Sequence, residues 1–108
     1  MDAKSAVAAL GALAQASRLE VFRLLVRRGP AGLAAGEISE RVGVPPTTLS
    51  FHLSQLSHAG LVTSRREGRS ILYAADYGGM QGLMGFLTDN CCQEGGCAPS
   101  PTPKRRGK

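Results

Sequence analysis

The sequence predicts a mainly α (α+β) domain of five helices, with a two-stranded β-hairpin set between the fourth and the fifth. Apolar residues recur at helical spacing in five stretches separated by glycine, proline or capping residues. Two short β-type runs, Leu61–Arg65 and Ser70–Ala74, flank the glycine-bearing connection Arg66-Glu67-Gly68-Arg69. The hairpin follows directly on a tight pair of helices, which is the order of a winged helix-turn-helix.

Each element has its own signal. From Ala3 to Ala16 the chain is rich in alanine, with Val7, Leu10 and Leu13 three apart. Such a narrow stripe among small residues suits close packing against another helix, including one from a second subunit. Ser17 opens the second helix, with Glu20 three residues on to complete a capping box. Leu19, Phe22, Leu25 and Val26 give it an apolar face up to Arg28, and Gly29-Pro30 breaks it. A short third helix spans Ala35 to Val42, carried by Ile38 and Val42 and ended by Gly43. The fourth runs from Thr47 to Ala59, with Pro46 tolerated in its first turn. The last, Asp76 to Asn90, carries Tyr77, Met80, Met84 and Leu87 on one stripe. Three of its glycines, Gly79, Gly82 and Gly85, each lower helix propensity by roughly 1 kcal/mol, so it needs packing partners to persist.

The 108 residues fit one domain, with residues 1–94 forming the fold and 95–108 a sensor-site end and a disordered, basic, proline-bearing tail. No run approaches the ~20 apolar residues of a membrane span. The opening segment lacks a basic leader and reads as part of the fold, so the expected address is cytoplasmic, with no membrane partner. The net charge of +5 points to a polyanionic partner, but four of the thirteen basic residues lie in the last five positions. Bulk charge therefore identifies little, and individual arginines must carry the reading.

In the fourth helix Leu49, Leu53 and Leu56 fall on one side at 100° per residue. Thr47, Phe51, Ser54 and His58 fall opposite, flanked by Ser50 and Gln55, with Thr48 in the first turn. Hydroxyls and an amide without an acid suit hydrogen bonding to base edges and phosphates. Phe51 on that face either touches a thymine methyl or the sugar wall, or fills a gap beside the third helix. His52 lies nearer the buried side and reads as a packed, hydrogen-bonded histidine. In the hairpin, Arg65, Arg66 and Arg69 surround the glycine, and guanidiniums on a narrow projection favour phosphate or minor-groove contact. The alternative is a solvated turn in which Glu67 neutralises one arginine.

The string Gln15-Ala16-Ser17-Arg18-Leu19-Glu20-Val21-Phe22-Arg23-Leu24-Leu25 resembles the opening "D-P-T-R-L-x-I-L-x-L-L" of the ArsR/SmtB family of metalloregulators. Thr47 to Leu56, with Ala59-Gly60-Leu61-Val62, is similar to that family's recognition helix and turn into the wing, and Arg66 to Arg69 to its wing tip. The resemblance covers roughly residues 3–90. It implies a homodimer joined through the first and last helices, binding double-stranded operator DNA at an inverted repeat, repressing neighbouring genes and releasing the DNA when a ligand binds.

The ligand is suggested by Asn90-Cys91-Cys92-Gln93-Glu94-Gly95-Gly96-Cys97. Three cysteines within seven residues make no disulfide framework, and clustered thiols suggest metal or redox chemistry. An arsenic site resembling "C-V-C-D-L" at the third helix is absent, because Ala35 to Ser39 holds no cysteine. A zinc site on the last helix is absent too, because that helix has no histidine. Thiolates prefer soft ions; trivalent arsenic and antimony take three, whereas structural zinc takes four ligands. Beyond the helix end the two adjacent cysteines can converge, and Gly95-Gly96 lets Cys97 fold back. The pattern is similar to that of an arsenic-responsive subgroup of ArsR repressors with a Cys-Cys pair and a third cysteine after the last helix. That resemblance implies Cys91, Cys92 and Cys97 as ligands of As(III) or Sb(III) acting as inducer. A zinc-responsive or thiol-redox-responsive repressor of the same fold is the alternative, and a metal carrier without a DNA role a third. An enzyme is not expected, since the Ala-Pro-Ser-Pro-Thr-Pro segment directly after Cys97 offers neither an arginine nor a helix to cradle an oxyanion.

Overall fold

The structure is a computed structural model, and it describes residues 1–95. The tail expectation and Cys97 lie outside the described residues. The element order is α1 (Ala3–Leu13), α2 (Ala16–Arg28), β1 (Leu33–Ala34), α3 (Ala35–Val42), α4 (Pro46–His58), β2 (Val62–Glu67), β3 (Ser70–Ala75) and α5 (Tyr77–Thr88). Five helices and the hairpin between α4 and α5 follow the predicted order. Among the described residues no helix is long and apolar enough to cross a membrane.

Four local expectations are corrected. The N-cap of α2 is Gln15, whose side chain accepts from the Arg18 amide at 2.8 Å, so Ser17 lies inside the helix and forms no capping box with Glu20. A strand absent from the sequence reading, β1, adds an edge to the hairpin, giving a three-stranded antiparallel sheet in the order β1-β3-β2. Only two residues long, it is too short to show any periodicity. The strand β2 runs on to Glu67, closer to the tip than expected, so the turn is Gly68-Arg69 alone. Gly68 takes φ 62° at its first position, where the twist of a two-residue hairpin turn asks for a positive φ. Finally, α1 and α5 each end two or three residues early, α5 at Thr88.

The core is assembled from every helix. Leu25, Leu33, Ile38, Leu49, Leu56 and Leu61 are fully enclosed, with Val21 beside them. On α1 the side packed into this core consists of Ala6, Ala9 and Ala12, so α1 approaches closely and leaves Val7 and Leu10 on the outside, 68% and 44% exposed. On α5 only Leu83 is buried, while Met84 and Leu87 remain 59% and 57% exposed. Leu13 and Met80, grouped by the sequence with those stripes, pack partly against the chain's own core.

One glycine of α5 has a steric reason. A Cβ on Gly79 would stand 1.9 Å from the Gly60 carbonyl oxygen, so only glycine lets the start of α5 cross the turn after α4. Asp76 caps α5 through the Gly79 amide at 3.1 Å, and its own amide donates to the Leu61 carbonyl at 2.8 Å. The Tyr77 hydroxyl donates to the Val26 carbonyl at 3.1 Å. The root of α5 is thus fastened to the end of α4 and the end of α2.

Candidate nucleic-acid interface

The helix α4 is joined to α3 by Gly43, Val44 and Pro45, a turn closed by the Gly43 amide on the Ser39 carbonyl at 2.9 Å. The Ser39 hydroxyl donates to the Val44 carbonyl across it. Pro45 offers no side-chain cap, and the first intrahelical bond runs from the Leu49 amide to the Pro45 carbonyl at 2.9 Å. The amides of Thr47 and Thr48 are therefore left without helical acceptors at the positive end of the helix dipole. Leu49, His52, Leu53 and Leu56 are buried; Thr47, Thr48, Ser50, Phe51, Ser54, Ser57 and His58 are exposed, and Gln55 is half-buried. No acidic residue lies anywhere on α4.

On the flank facing the sheet, Ser50, Ser54, Ser57 and His58 of α4 face Ser64 and Tyr73 across a groove of about 280 Å³ floored by Leu53. Sequence reasoning missed Ser57, Ser64 and Tyr73 as groove residues. The strand register Ser64↔Tyr73 that brings the latter two together is fixed only once the turn is known to be two residues long.

The three wing arginines do not form one cluster. Side chains alternate faces along a strand, so Arg65 and Arg66 point apart. Arg66 shares its face with Ser64 and, across the ladder, with Ile71 and Tyr73, which puts it on the groove side. Arg65 turns the other way: its guanidinium donates to the Pro30 carbonyl at 2.9 Å, the Ala31 carbonyl at 2.8 Å and Glu67 Oε2 at 3.0 Å. Arg65 thus ties the wing to the loop after α2. Arg66 and Arg69 are exposed and in no ion pair among the described residues.

Phe51, 56% exposed, sits with its ring centroid 5.7 Å from the guanidinium carbon of Arg18. It therefore leans toward α2 and away from the wing. His52 is 4% exposed, and its Nδ1 accepts from Arg18 Nε at 3.3 Å. Burial first, and the Arg18 charge second, hold its imidazole below the ordinary value of 6.5, so it is neutral at pH 7.

Past α5 the chain makes two successive tight turns. The Cys91 amide donates to the Thr88 carbonyl at 3.0 Å and the Gln93 amide to the Asn90 carbonyl at 3.1 Å. Asn90 and Cys92 take φ 61° and 65°, left-handed conformations that turn adjacent side chains toward each other. The Cys91 and Cys92 sulfurs lie 3.0 Å apart, with Cys91 exposed and Cys92 half-buried. No group of three or more potential metal ligands forms among the described residues.

Residues 13–65 match a family described as a helix-turn-helix domain. The nodulation protein NolR of Rhizobium meliloti is 33% identical over 88 residues, 82% of this chain and 70% of NolR. Among solved structures, an ArsR-like transcriptional regulator from Rhodococcus sp. RHA1 aligns with a TM-score of 0.74 at 26% identity, over 83% of this chain and 82% of that one. The homodimeric winged helix-turn-helix DNA-binding domain of a possible ArsR-family regulator from Mycobacterium bovis gives 0.65 at 28% identity, over 82% of each chain.

Proposed function

We propose that this chain, which belongs to the ArsR/SmtB family of winged-helix DNA-binding transcriptional regulators, is a homodimeric repressor that grips an inverted-repeat operator and lets go when trivalent arsenic or antimony binds its C-terminal thiols. The observation that carries the DNA reading is the acid-free, hydroxyl-lined outer face of α4, continuous with the groove side of the wing. In the major groove, Thr47, Ser50 and Ser54 meet base edges while Thr48 and Gln55 meet sugar or phosphate. The uncapped amides of Thr47 and Thr48 favour a backbone phosphate at the start of the helix. Arg66 and Arg69 supply charge to the flanking backbone or minor groove. Arg65 serves by holding the wing in place.

The dimer is supported by the apolar surface left bare on α1 and α5, and by the homodimeric neighbour. The inducer is supported by the 3.0 Å approach of the Cys91 and Cys92 sulfurs, two soft donors within reach of one thiophilic ion. Cys97 is the proposed third donor. A coupling of about 1–3 kcal/mol between the thiol site and DNA weakens binding roughly 5- to 150-fold.

The experiment is a titration of arsenite into the protein–operator complex, repeated with Cys91→Ser, Cys92→Ser and Cys97→Ser. Each variant is expected to bind the operator like the wild type and to resist release. Variants that all let go at the wild-type arsenite concentration refute the thiol site. Release by oxidant, reversed by a dithiol and indifferent to arsenite, selects redox sensing by the same cysteines.

A further inference from the structure

The guanidinium of Arg18 stands where three helices meet. Besides donating to His52 of α4 through Nε, it reaches the Ala12 carbonyl of α1 through Nη1 at 3.4 Å. Its Nη2 donates to nothing among the described residues. No carboxylate pairs with it either, since the single ion pair among the described residues joins Arg65 to Glu67. A half-buried cation without a counter-charge is costly unless something anionic joins it. His52 does not neutralise it, being an uncharged acceptor.

Beside this guanidinium opens a cleft of about 320 Å³, floored by Ala8, Gly11 and Ala12 of α1 and rimmed by Arg18, Gln55 and His58. The floor is small and apolar, and the rim carries donors and no acid. Such a lining suits a compact oxyanion, for which arginine is the best-matched side chain. The cleft lies on the α1 flank of α4, whereas the serine-lined groove lies on the wing flank, and His58 borders both.

We propose that the cleft between α1, α2 and α4 seats a phosphate group, with Arg18, Gln55 and His58 as its donors. On the DNA-binding reading, on which this rests, that phosphate belongs to the duplex backbone on the side of α4 away from the wing. The recognition helix is then held from both flanks, and one of the two holds comes from the junction with α1.

The test leaves Arg18 in place, because its removal also strips His52 of its donor. A Cβ on Gly11 meets nothing within 4 Å, so Gly11→Asp adds a carboxylate to the cleft without a clash, and Gly11→Ala is its control. Both are expected to sediment like the wild type. Binding is measured to a mixed-sequence 30-base-pair duplex across a salt series, with inorganic phosphate titrated separately into DNA-free protein while the His58 imidazole resonances are followed. For a backbone phosphate, Gly11→Asp lowers the steepness of the salt dependence by about two counterions per dimer and Gly11→Ala does not. His58→Ala, which removes a donor from the cleft, weakens duplex binding across the salt series. For a free phosphate ligand, the duplex slopes agree, but millimolar phosphate shifts His58 in the wild type and not in Gly11→Asp. Identical behaviour of Gly11→Asp and Gly11→Ala in both arms overturns the proposal. A wild type that binds no duplex overturns the DNA reading, and the phosphate arm still decides the cleft.

Discussion

Replacing Met84 by alanine should loosen the proposed dimer without unsettling the protomer. Met84 is 59% exposed in the single chain, so only a minor share of its surface is buried by the chain's own fold. Fully burying a side chain of this size is worth roughly 1.5–3 kcal/mol, and the exposed share leaves about 1–1.5 kcal/mol for a partner subunit to cover. A twofold interface uses each residue twice. The variant therefore forfeits about 2–3 kcal/mol per dimer, which raises the dimer dissociation constant roughly 30- to 150-fold. Alanine is the better helix former, so α5 itself should not suffer. Sedimentation velocity across a dilution series reads the shift directly, and thermal unfolding of the variant at high concentration checks that the protomer is intact. A wild type that sediments as a monomer at every concentration would refute the reasoning. So would a Met84→Ala protein whose dissociation constant matches the wild type.

The wing arginines should separate cleanly in salt titrations of DNA binding. Arg66→Ala should lower the slope of affinity against salt by about two counterions per dimer, while Arg65→Ala should leave the slope nearly unchanged and make the hairpin more open to proteolysis. Equal slopes for the two variants would contradict the opposite-face assignment. The depressed pKa of His52 gives a pH dependence of stability. The unfolded chain takes up a proton as pH falls through the ordinary histidine value near 6.5, before the folded protein does, so protonation favours the unfolded state and stability falls as pH drops through that value, levelling off below the folded pKa. Melting temperatures between pH 7.5 and 5 should therefore decline in the wild type and flatten in His52→Gln, whose side-chain oxygen still accepts from Arg18; an unchanged slope in the variant assigns the effect elsewhere.

The periodic parts of this fold were legible in the sequence, and the parts set by long-range geometry were not. Ile38 and Val42 between breakers placed α3 to the residue, and Leu49, Leu53 and Leu56 named the buried side of α4 correctly. His52 was assigned to packing, and it is packed. By contrast β1 is a strand only because Leu33 and Ala34 lie beside Tyr73 and Leu72, a pairing no local signal announces. The arginine cluster misled for a similar reason. Proximity in sequence suggested shared duty, whereas the alternation of a strand, once β2 extends to Glu67, sends Arg65 and Arg66 to opposite faces. In the sequence Arg18 stands out only as part of a motif string, since nothing in its neighbours foretells a meeting with α1 and α4.

The same distinction bears on how the proposed thiol site at one end of α5 would act on DNA at the other. The root of α5 is fixed by three contacts: the close passage of Gly79 over the Gly60 carbonyl, the Asp76 amide on Leu61 and the Tyr77 hydroxyl on Val26. Gly60 and Leu61 directly follow α4, so the fixed end of α5 is joined to the C-terminal end of the proposed recognition helix. The far end carries Met84, Phe86 and Leu87 exposed, and then the paired thiols. A helix held firmly at one end and met by a partner subunit at the other cannot be repositioned at its tip without turning the domain to which its root is fastened. On the proposed reading, a ligand at Cys91 and Cys92 therefore needs no route through the protein interior. It has only to favour one seating of the partner against Met84 and Leu87, and the two recognition helices, which must stay about one turn of DNA (~34 Å) apart, move out of register with their half-sites.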